Sequence, residues 1–322
     1  MKKKILIIST LGPSSLNRKF LKFANKNIDL LRLNMSHINP SQLETKIRYI
    51  RKFTNKPICI DTEGAQIRTK VKKEKFFKKK SYLKIFHEPR KGNCSLYPED
   101  VSKKLKVGDL INIGFQNLIV KVTKTNNKFI KTKVISAGKL ERNKGVHIEN
   151  RKIKLNFITE KDKRAIEISK KNKINYFALS FTNSVDDIKK FNTLLKNKNK
   201  IFKIETKNAI KEFNSLIKIG DNFLLDRGDM SKEVKIENIP KVQRKLFSIK
   251  NKFKGKKLFV ATNLLESMIN NDFPTRGEAN DIYNSLEMGS EGLVLAAETA
   301  IGKFPISAVN FLKKMISSFL SK

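Results

Sequence analysis

Short apolar runs alternate along the chain with segments whose apolar residues recur every three or four positions. The runs predict buried β-strands, and the segments that follow them predict amphipathic helices. Outside residues 70–152 the pattern gives eight strands, each followed by a helix: 4–9, 28–37, 57–64, 176–181, 201–206, 222–229, 257–263 and 292–299. Eight strand–helix repeats are typical of a (β/α)8 TIM barrel, a fold of the α/β class.

Residues 70–152 follow a different pattern. Short β-like runs are separated there by clusters of turn and charged residues, and helical periodicity is weak. This pattern predicts a small all-β domain inserted after the third strand. We therefore predict a barrel catalytic domain over 1–69 and 153–322, interrupted at 70–152 by a β-barrel-like lid domain.

The segment Ile201–Met230 carries a lysine and several carboxylates at the ends of two predicted strands. Lys203 and Glu205 are two positions apart, so on a strand both face the same side. Asp229 follows at the end of the next strand. Carboxylate oxygens beside a fixed ammonium suit a hard divalent cation and an anionic substrate, although two ordinary strand ends with solvated charges give the same pattern.

Polar residues at the ends of other strands favour a site over that alternative. Arg32, Asn34 and Ser36 alternate at the end of the second predicted strand, and Asp61 and Thr62 lie at the end of the third. The carboxyl ends of barrel strands meet on one face, where the active sites of such barrels lie. The sequence therefore predicts one site that collects residues from several strands.

The amino-acid composition indicates which broad class of protein this chain belongs to. The 322 residues are 39% hydrophobic and 31% charged, which is typical of a globular chain with a substantial core. No apolar run reaches membrane-spanning length, and the N-terminal residues predict a first strand rather than a signal peptide. Cys59 and Cys94 are the only cysteines and no Cys/His cluster occurs, so we predict a reduced, cytoplasmic protein with no zinc site and no membrane partner.

The formal net charge of +39 allows two interpretations. A basic chain can bind nucleic acid or another anionic surface. A compositional bias towards lysine, with the side chains spread over solvated faces, gives the same charge. The lysines run along the whole chain without a recognised nucleic-acid module, so we favour the bias and predict no nucleic-acid partner.

Ordered motifs along nearly the whole chain resemble those of the pyruvate kinase family. They are TLGPSS (10–15), LRLNMSH (31–37), IDTEGAQIRT (60–69), FITEKD (157–162), FKIET (202–206), RGDM (227–230), ATNLLESMI (261–269), PTRGEANDI (274–282) and AAETAIGKFP (296–305). The family's barrel, interrupted by a β domain after its third strand, matches the predicted layout. The resemblance implies a phosphotransferase that moves a phosphoryl group from phosphoenolpyruvate to ADP, giving pyruvate and ATP in the last step of glycolysis.

The resemblance also implies roles for individual residues. The positions that match the family's catalytic residues are Lys203, Arg32 and Thr262. Those that match its substrate-binding residues are Arg227, Gly228, Asp229 and Thr262. The implied ligands of Mg2+ (or Mn2+) are Glu205 and Asp229, and those of K+ are Asn34, Ser36, Asp61 and Thr62. The implied nucleotide-binding residues are Arg68 and Asn34.

Several positions near the predicted site depart from the family pattern. They are Glu63, Ala65, Gln66, Thr182, Asn183, Asp226, Ser231, Ala296 and Ala297. Glu63 and Asp226 add negative charge near a site that must hold anions, so we expect weaker substrate binding. Gln66 replaces the glutamate that tracks dependence on the monovalent cation. Ser231 replaces a glycine in a turn that we expect to need unusual backbone angles.

The chain ends soon after the helix that follows the eighth predicted strand, and the resemblance implies that the family's C-terminal α/β domain is absent. We therefore expect no allosteric control by sugar phosphates, and a homo-oligomer that is a dimer rather than a tetramer. Two alternatives stay open: a diverged or inactive relative that acts on another enol-phosphate, and a non-catalytic barrel that binds anions or RNA. Retention of Lys203, Glu205, Asp229 and Thr262 favours the active enzyme.

Overall fold

The structure, a computed structural model that describes residues 4–114, 118–151 and 153–321, contains two closed β-barrels. The chain divides into two compact units. The first contains the residues up to Gly64 together with those from Phe157 onwards, and the second is Ala65–Asn156. The predicted domain limits at residues 1, 152 and 322 lie outside the described residues.

The described strands, in chain order, are β1 Leu6–Thr10, β2 Leu30–Asn34, β3 Ile58–Asp61, β4 Ile67–Val71, β5 Lys75–Phe77, β6 Tyr82–Phe86, β7 Cys94–Tyr97, β8 Leu110–Ile113, β9 Leu118–Thr125, β10 Phe129–Ser136, β11 Gly138–Leu140, β12 Gly145–Ile148, β13 Tyr176–Leu179, β14 Asn199–Ile204, β15 Asn222–Asp226, β16 Lys257–Ala261 and β17 Gly292–Leu295.

The described helices are α1 Arg18–Asn27, α2 Pro40–Arg51, α3 Val101–Lys104, α4 Glu160–Lys171, α5 Val185–Leu194, α6 Lys207–Ile219, α7 Arg227–Met230, α8 Ile239–Lys250, α9 Arg276–Glu287, α10 Ala297–Ala300 and α11 Pro305–Leu320. Short 3-10 turns cover Pro89–Lys91, Ile236–Asn238 and Glu266–Ile269.

The strands of the first unit all run parallel and close into a barrel in the order β1-β17-β16-β15-β14-β13-β3-β2. Neighbours in this barrel follow one another along the chain, except that the sequence of the second unit separates β3 from β13 and that β17 pairs with β1 to close the barrel. The predicted (β/α)8 barrel with an all-β insertion after its third strand is confirmed. The prediction starts the insertion at residue 70, whereas β4, which begins at Ile67, already pairs with β7 and β12 of the second unit.

Alternate residues of each barrel strand face opposite sides, and two apolar clusters result. The smaller cluster fills the inside of the barrel and consists of Ile8, Leu30, Cys59, Ala178, Ile201, Leu224, Phe259, Ala261 and Val294. The larger cluster lies between the barrel and its helices, where β14 contributes Phe202 and Ile204. Burial of these outward residues, at about 25 cal/mol per Å² of apolar surface, attaches the helices to the sheet.

Each barrel helix presents an apolar stripe to the strands. In α6 the buried residues Phe213, Leu216 and Ile217 recur at helical spacing. Thr159 is the N-cap of α4, where its Oγ1 accepts a hydrogen bond from Asp162 N and the Asp162 carboxylate accepts one from Thr159 N. This reciprocal capping box fixes the start of the helix.

The second unit is mainly β-structure. Most of its described strands close into a barrel in the order β10-β6-β7-β4-β12-β8-β9, and β5 pairs with β11. Side chains such as Ile85, Val120 and Ile130 are fully buried inside this unit. Throughout the described ranges, the helices lack the combined length and apolar character that a bilayer crossing requires.

Candidate active site

A layer of polar residues lies above the apolar interior of the first barrel. In several strands a polar residue follows an interior apolar residue by two positions, and it faces the same side because strand side chains alternate. The layer consists of Thr10 after Ile8, Arg32 after Leu30, Asp61 after Cys59, Ser180 after Ala178, Lys203 after Ile201 and Asp226 after Leu224. All of these polar residues are buried.

Lys203 contacts several members of this layer. Its Nζ lies 3.3 Å from Asp61 Oδ2, 2.7 Å from Glu205 Oε1 and 3.2 Å from Asp226 Oδ2. It also donates a hydrogen bond of 3.2 Å to Ser180 Oγ. Burial alone would lower the pKa of Lys203, but the three carboxylates outweigh this effect and raise the pKa above its ordinary value. Lys203 is therefore a fixed, buried positive charge.

Arg32 is held in the same layer by Asp61. Arg32 Nε and Nη2 both donate to Asp61 Oδ2, at 2.8 Å and 2.5 Å. Arg32 Nη1 donates to Thr10 Oγ1 at 2.8 Å, and Asp61 Oδ1 accepts a hydrogen bond of 3.1 Å from Ser180 Oγ. These bonds fix the plane of the guanidinium, and Asp61 joins the two predicted catalytic cations because it contacts both.

Three carboxylates gather beside Lys203. Glu205, Asp226 and Asp229 each offer one oxygen, and these oxygens lie within 4.8 Å of one another. Glu205 Oε2 accepts a hydrogen bond of 2.6 Å from Phe181 N, whereas the buried Oε1 contacts Lys203 Nζ as an ion pair of 2.7 Å. Burial raises the pKa of Glu205, and the nearby Asp229 and Asp226 carboxylates add to this, although Lys203 opposes it.

This group fits a hard divalent cation. Carboxylate oxygens are the donors that Mg2+ prefers, and oxygens bound about 2.1 Å from Mg2+ lie up to about 4.2 Å apart, so small side-chain rotations close the group around an ion. Asp229 also pairs with Lys232, which holds the pKa of Asp229 below its ordinary value although burial opposes this. The predicted Mg2+ ligands Glu205 and Asp229 thus lie together, and Asp226 lies with them.

Asp226 also begins helix α7. Its Oδ1 accepts a hydrogen bond of 3.4 Å from Asp229 N, the N-cap contact, and another of 3.3 Å from Thr262 Oγ1. Gly228 N donates to Thr262 Oγ1 at 2.7 Å. The peptide N–H groups of Gly228 and Asp229, both predicted to bind substrate, therefore have acceptors within the protein.

The turn that ends α7 has ordinary backbone angles. The expected backbone restriction at Ser231 is wrong, because Ser231 has φ −61° and ψ −14°, right-handed helical values that do not require glycine. The Arg227 side chain is bound to the protein itself. Its Nη1 contacts both carboxylate oxygens of Asp281, at 2.9 Å and 2.6 Å, and its Nε and Nη2 donate to Thr262 O.

Thr262 has an unusual backbone. It follows the last residue of β16 and has φ +70°, a left-handed value that is a genuine outlier for a β-branched residue. Such a conformation costs about 1–3 kcal/mol and persists where the surrounding structure fixes it. Here the Thr262 hydroxyl and carbonyl accept hydrogen bonds from Gly228 and Arg227.

The residues predicted to bind K+ come from neighbouring strands. Asn34 at the end of β2 pairs in register with Asp61 at the end of β3. Asn34 Oδ1 accepts a hydrogen bond of 2.9 Å from Ser36 N, and Thr62 Oγ1 accepts one of 3.0 Å from Ser180 N. The structure therefore brings these residues to adjacent strand ends.

Arg68 lies on β4 of the second unit. It is opposite Tyr97 of β7 and Gly145 of β12, and its Nη1 donates to Asn143 O at 3.2 Å. The prediction that Arg68 binds nucleotide thus concerns a residue of the inserted barrel.

The Glu63 side chain is paired rather than isolated. Its Oε2 lies 2.8 Å from Lys161 Nζ, so the negative charge expected to weaken substrate binding is compensated locally. The next residue, Gly64, has φ +73°, and a Cβ added there would lie 2.7 Å from Ser180 O. Its conformation and this close approach both require glycine.

Sequence reasoning missed several members of the polar layer. Ser180 and Thr10 were not singled out, although each ends or directly follows a buried apolar run, as the predicted residues do. Asp226 was noted only as a departure. The shared signal is a polar residue two positions after an interior apolar one, and this signal can be read from the sequence once the strands are assigned.

Comparison with known proteins agrees with this geometry. Residues 2–309 match the pyruvate kinase barrel domain family. Pyruvate kinase from Thermotoga maritima is 32% identical, over 96% of this chain and 69% of its own length. Pyruvate kinase from Methanocaldococcus jannaschii is 33% identical, over 98% and 69%.

Plastidial pyruvate kinase 3 from Arabidopsis thaliana is 31% identical, over 97% of this chain and 57% of its own length. The chain thus spans between 57% and 69% of the length of these relatives. The match covers both the strand ends of the polar layer and the inserted barrel, and the predicted family and its enzyme class are confirmed. The chain belongs to the pyruvate kinase family.

Proposed function

We propose that this protein transfers a phosphoryl group from phosphoenolpyruvate to ADP, giving pyruvate and ATP. The observation that carries the proposal is the buried ammonium of Lys203, fixed among Asp61, Glu205 and Asp226 at the carboxyl ends of the barrel strands. Membership of the pyruvate kinase family supports the choice of substrates.

Phosphoryl transfer needs alignment and positive charge more than covalent help from the protein. Lys203 and Arg32 supply two such charges in one polar layer, and both contact Asp61 Oδ2. Both are already held by Asp61, so little reorganisation is needed when negative charge develops on the equatorial oxygens of the phosphoryl group.

Glu205 and Asp229 are proposed to hold Mg2+ or Mn2+, which when bound supplies positive charge against the phosphoryl and enolate oxygens. The Gly228 and Asp229 N–H groups are proposed to bind the substrate carboxylate. They now donate to Thr262 Oγ1 and Asp226 Oδ1, so the substrate would replace these acceptors. Thr262 Oγ1 is proposed to face the carbon that is protonated to give pyruvate.

Two further assignments belong to the same proposal. Asn34, Ser36, Asp61 and Thr62 are proposed to bind K+, which the pairing of Asn34 with Asp61 at adjacent strand ends supports. Arg68 and Asn34 are proposed to bind the nucleotide. Arg68 carries a permanent positive charge suited to nucleotide phosphates.

A coupled assay tests the proposal. Purified protein with phosphoenolpyruvate, ADP, Mg2+ and K+ should form pyruvate, measured through lactate dehydrogenase. The Lys203→Met variant should lose at least about a hundredfold in kcat, because it removes a charge that acts on the transition state. Lys203→Arg, which keeps the charge in a different shape, should also be impaired.

Lys200→Met is the matched control, because Lys200 lies on the same strand near its other end. It should keep wild-type kcat, and circular dichroism should show that each variant is folded. Equal rates for folded Lys203→Met and wild type, or no pyruvate from either, would refute the proposed reaction. Replacing K+ by Na+, and adding a sugar bisphosphate, in the same assay measure the predicted K+ dependence and the predicted lack of activation.

A further inference from the structure

The polar layer and the residues beside it carry more negative than positive charge. The carboxylates are Asp61, Glu205, Asp226 and Asp229, and the buried cations are Arg32 and Lys203. Lys232, which is more exposed, pairs with Asp229. One negative charge remains when Lys232 is counted, and two remain when it is not. Uncompensated buried charge is costly, so the layer with all four carboxylates ionised favours an additional cation.

Asp226 is placed to share that cation. One of its oxygens lies within 4.8 Å of oxygens of both Glu205 and Asp229. Asp226 is 2% exposed, and its Oδ2 contacts Lys203 as an ion pair of 3.2 Å. A second observation points to a missing cation at the same place. Glu205, which is 1% exposed, directs Oε1 into this group, and its partner there, Lys203 Nζ at 2.7 Å, is shared with Asp61 and Asp226.

We propose that Asp226 is a third carboxylate ligand of the divalent cation, and that it strengthens the binding of Mg2+ or Mn2+ to the substrate-free protein. The inference rests on the proposed function only in assigning the cation to Glu205 and Asp229. Two carboxylates leave a Mg2+ site dependent on water and substrate oxygens, whereas a third adds charge and a fixed oxygen donor. The affinity of the substrate-free protein for the cation should therefore depend on Asp226.

Mn2+ binding to the substrate-free protein tests this inference. The free Mn2+ signal in electron paramagnetic resonance, titrated at constant KCl concentration, gives the Kd without any catalytic step. Asp226→Asn removes the charge but keeps an oxygen that can cap α7, and it should weaken Mn2+ binding by at least about tenfold. Glu205→Gln should weaken it at least as much.

Asp221→Asn is the matched control, because Asp221 directly precedes the same strand and its side chain is 79% exposed. This variant should bind Mn2+ as wild type does. If Asp226→Asn proves unfolded by circular dichroism, Asp226→Ser, whose hydroxyl can also cap α7, and the Mn2+-induced rise in melting temperature give the same comparison.

Wild-type Mn2+ affinity in folded Asp226→Asn, with loss in Glu205→Gln, would overturn the third-ligand assignment and leave the proposed reaction intact. Absence of Mn2+ binding to the substrate-free wild type would overturn it as well. Mn2+ binding that depends on Asp226, in a protein that forms no pyruvate, would instead refute the proposed function alone.

Discussion

Replacing Lys203 by Met should destabilise the barrel as well as impair catalysis. The ammonium is 2% exposed and lies within 3.3 Å of Asp61, Glu205 and Asp226, so its removal leaves three carboxylates without that counter-charge. Breaking a buried ionic contact from one side costs about 3–5 kcal/mol. For a domain of about 150–250 residues, each kcal/mol lowers the melting temperature by about 2–4 °C, so we expect a decrease of about 6–20 °C.

Thermal unfolding followed by circular dichroism in EDTA and KCl measures this decrease, with Lys200→Met as the control. Adding Asp226→Asn to Lys203→Met should recover part of the loss, since it removes one of the carboxylates left without a partner. If Lys203→Met melts within 2 °C of wild type, the loss is at most about 1 kcal/mol at about 2–4 °C per kcal/mol. That result would show that the ammonium gives no substantial net stabilisation. A double variant less stable than Lys203→Met would refute the charge balance that we infer for this layer.

Three further predictions concern local features. Thr159→Ala removes the α4 cap and should lower the free energy of unfolding by about 1 kcal/mol in urea denaturation, whereas Thr159→Ser should not. Gly64→Ala should cost about 1–3 kcal/mol in the same assay, because φ is +73° and the new Cβ meets Ser180; wild-type stability would show that the turn relaxes freely. Burial would raise the pKa of Asp109, but Arg151 outweighs this effect and holds that pKa below its ordinary value of 3.8. The Asp109–Arg151 pair therefore stabilises the protein fully above pH 3.8, and less as the pH falls below that value. The stability difference between wild type and Arg151→Leu should therefore shrink from pH 7 to pH 3, and an unchanged difference would contradict it.

The alternation of short apolar runs and helical segments was enough to predict the barrel, because both periods are local properties of the chain. The end of β15 shows the limit of this signal. The pattern extends the strand to Asp229, whereas the strand ends at Asp226 and α7 begins at Arg227. Aspartate is a preferred N-cap, so the position offered a local signal. The contact of Asp226 with Thr262, which directly follows β16, joins residues far apart in sequence and has no local signal.

The composition of the site depends on closure of the barrel. The spacing of Lys203 and Glu205 predicts that they face the same side, and they lie 2.7 Å apart. The contact of Lys203 with Asp61 joins strands far apart in sequence, and the pairing of Glu63 with Lys161 joins residues on either side of the inserted unit. No local pattern predicts such pairs, which explains why Glu63 was expected to repel substrate although its charge is compensated.

The left-handed backbone at Thr262 lowers the stability of the protein, whereas the threonine hydroxyl contributes hydrogen bonds to the candidate site. Glycine at this position would relieve the strain of a β-branched residue at φ +70°, about 1–3 kcal/mol. It would also remove the hydroxyl that accepts the Gly228 N–H and contacts Asp226. Random mutagenesis selected only for heat resistance would therefore tend to enrich substitutions that remove this hydroxyl, and selection for growth that depends on the proposed reaction would eliminate them again.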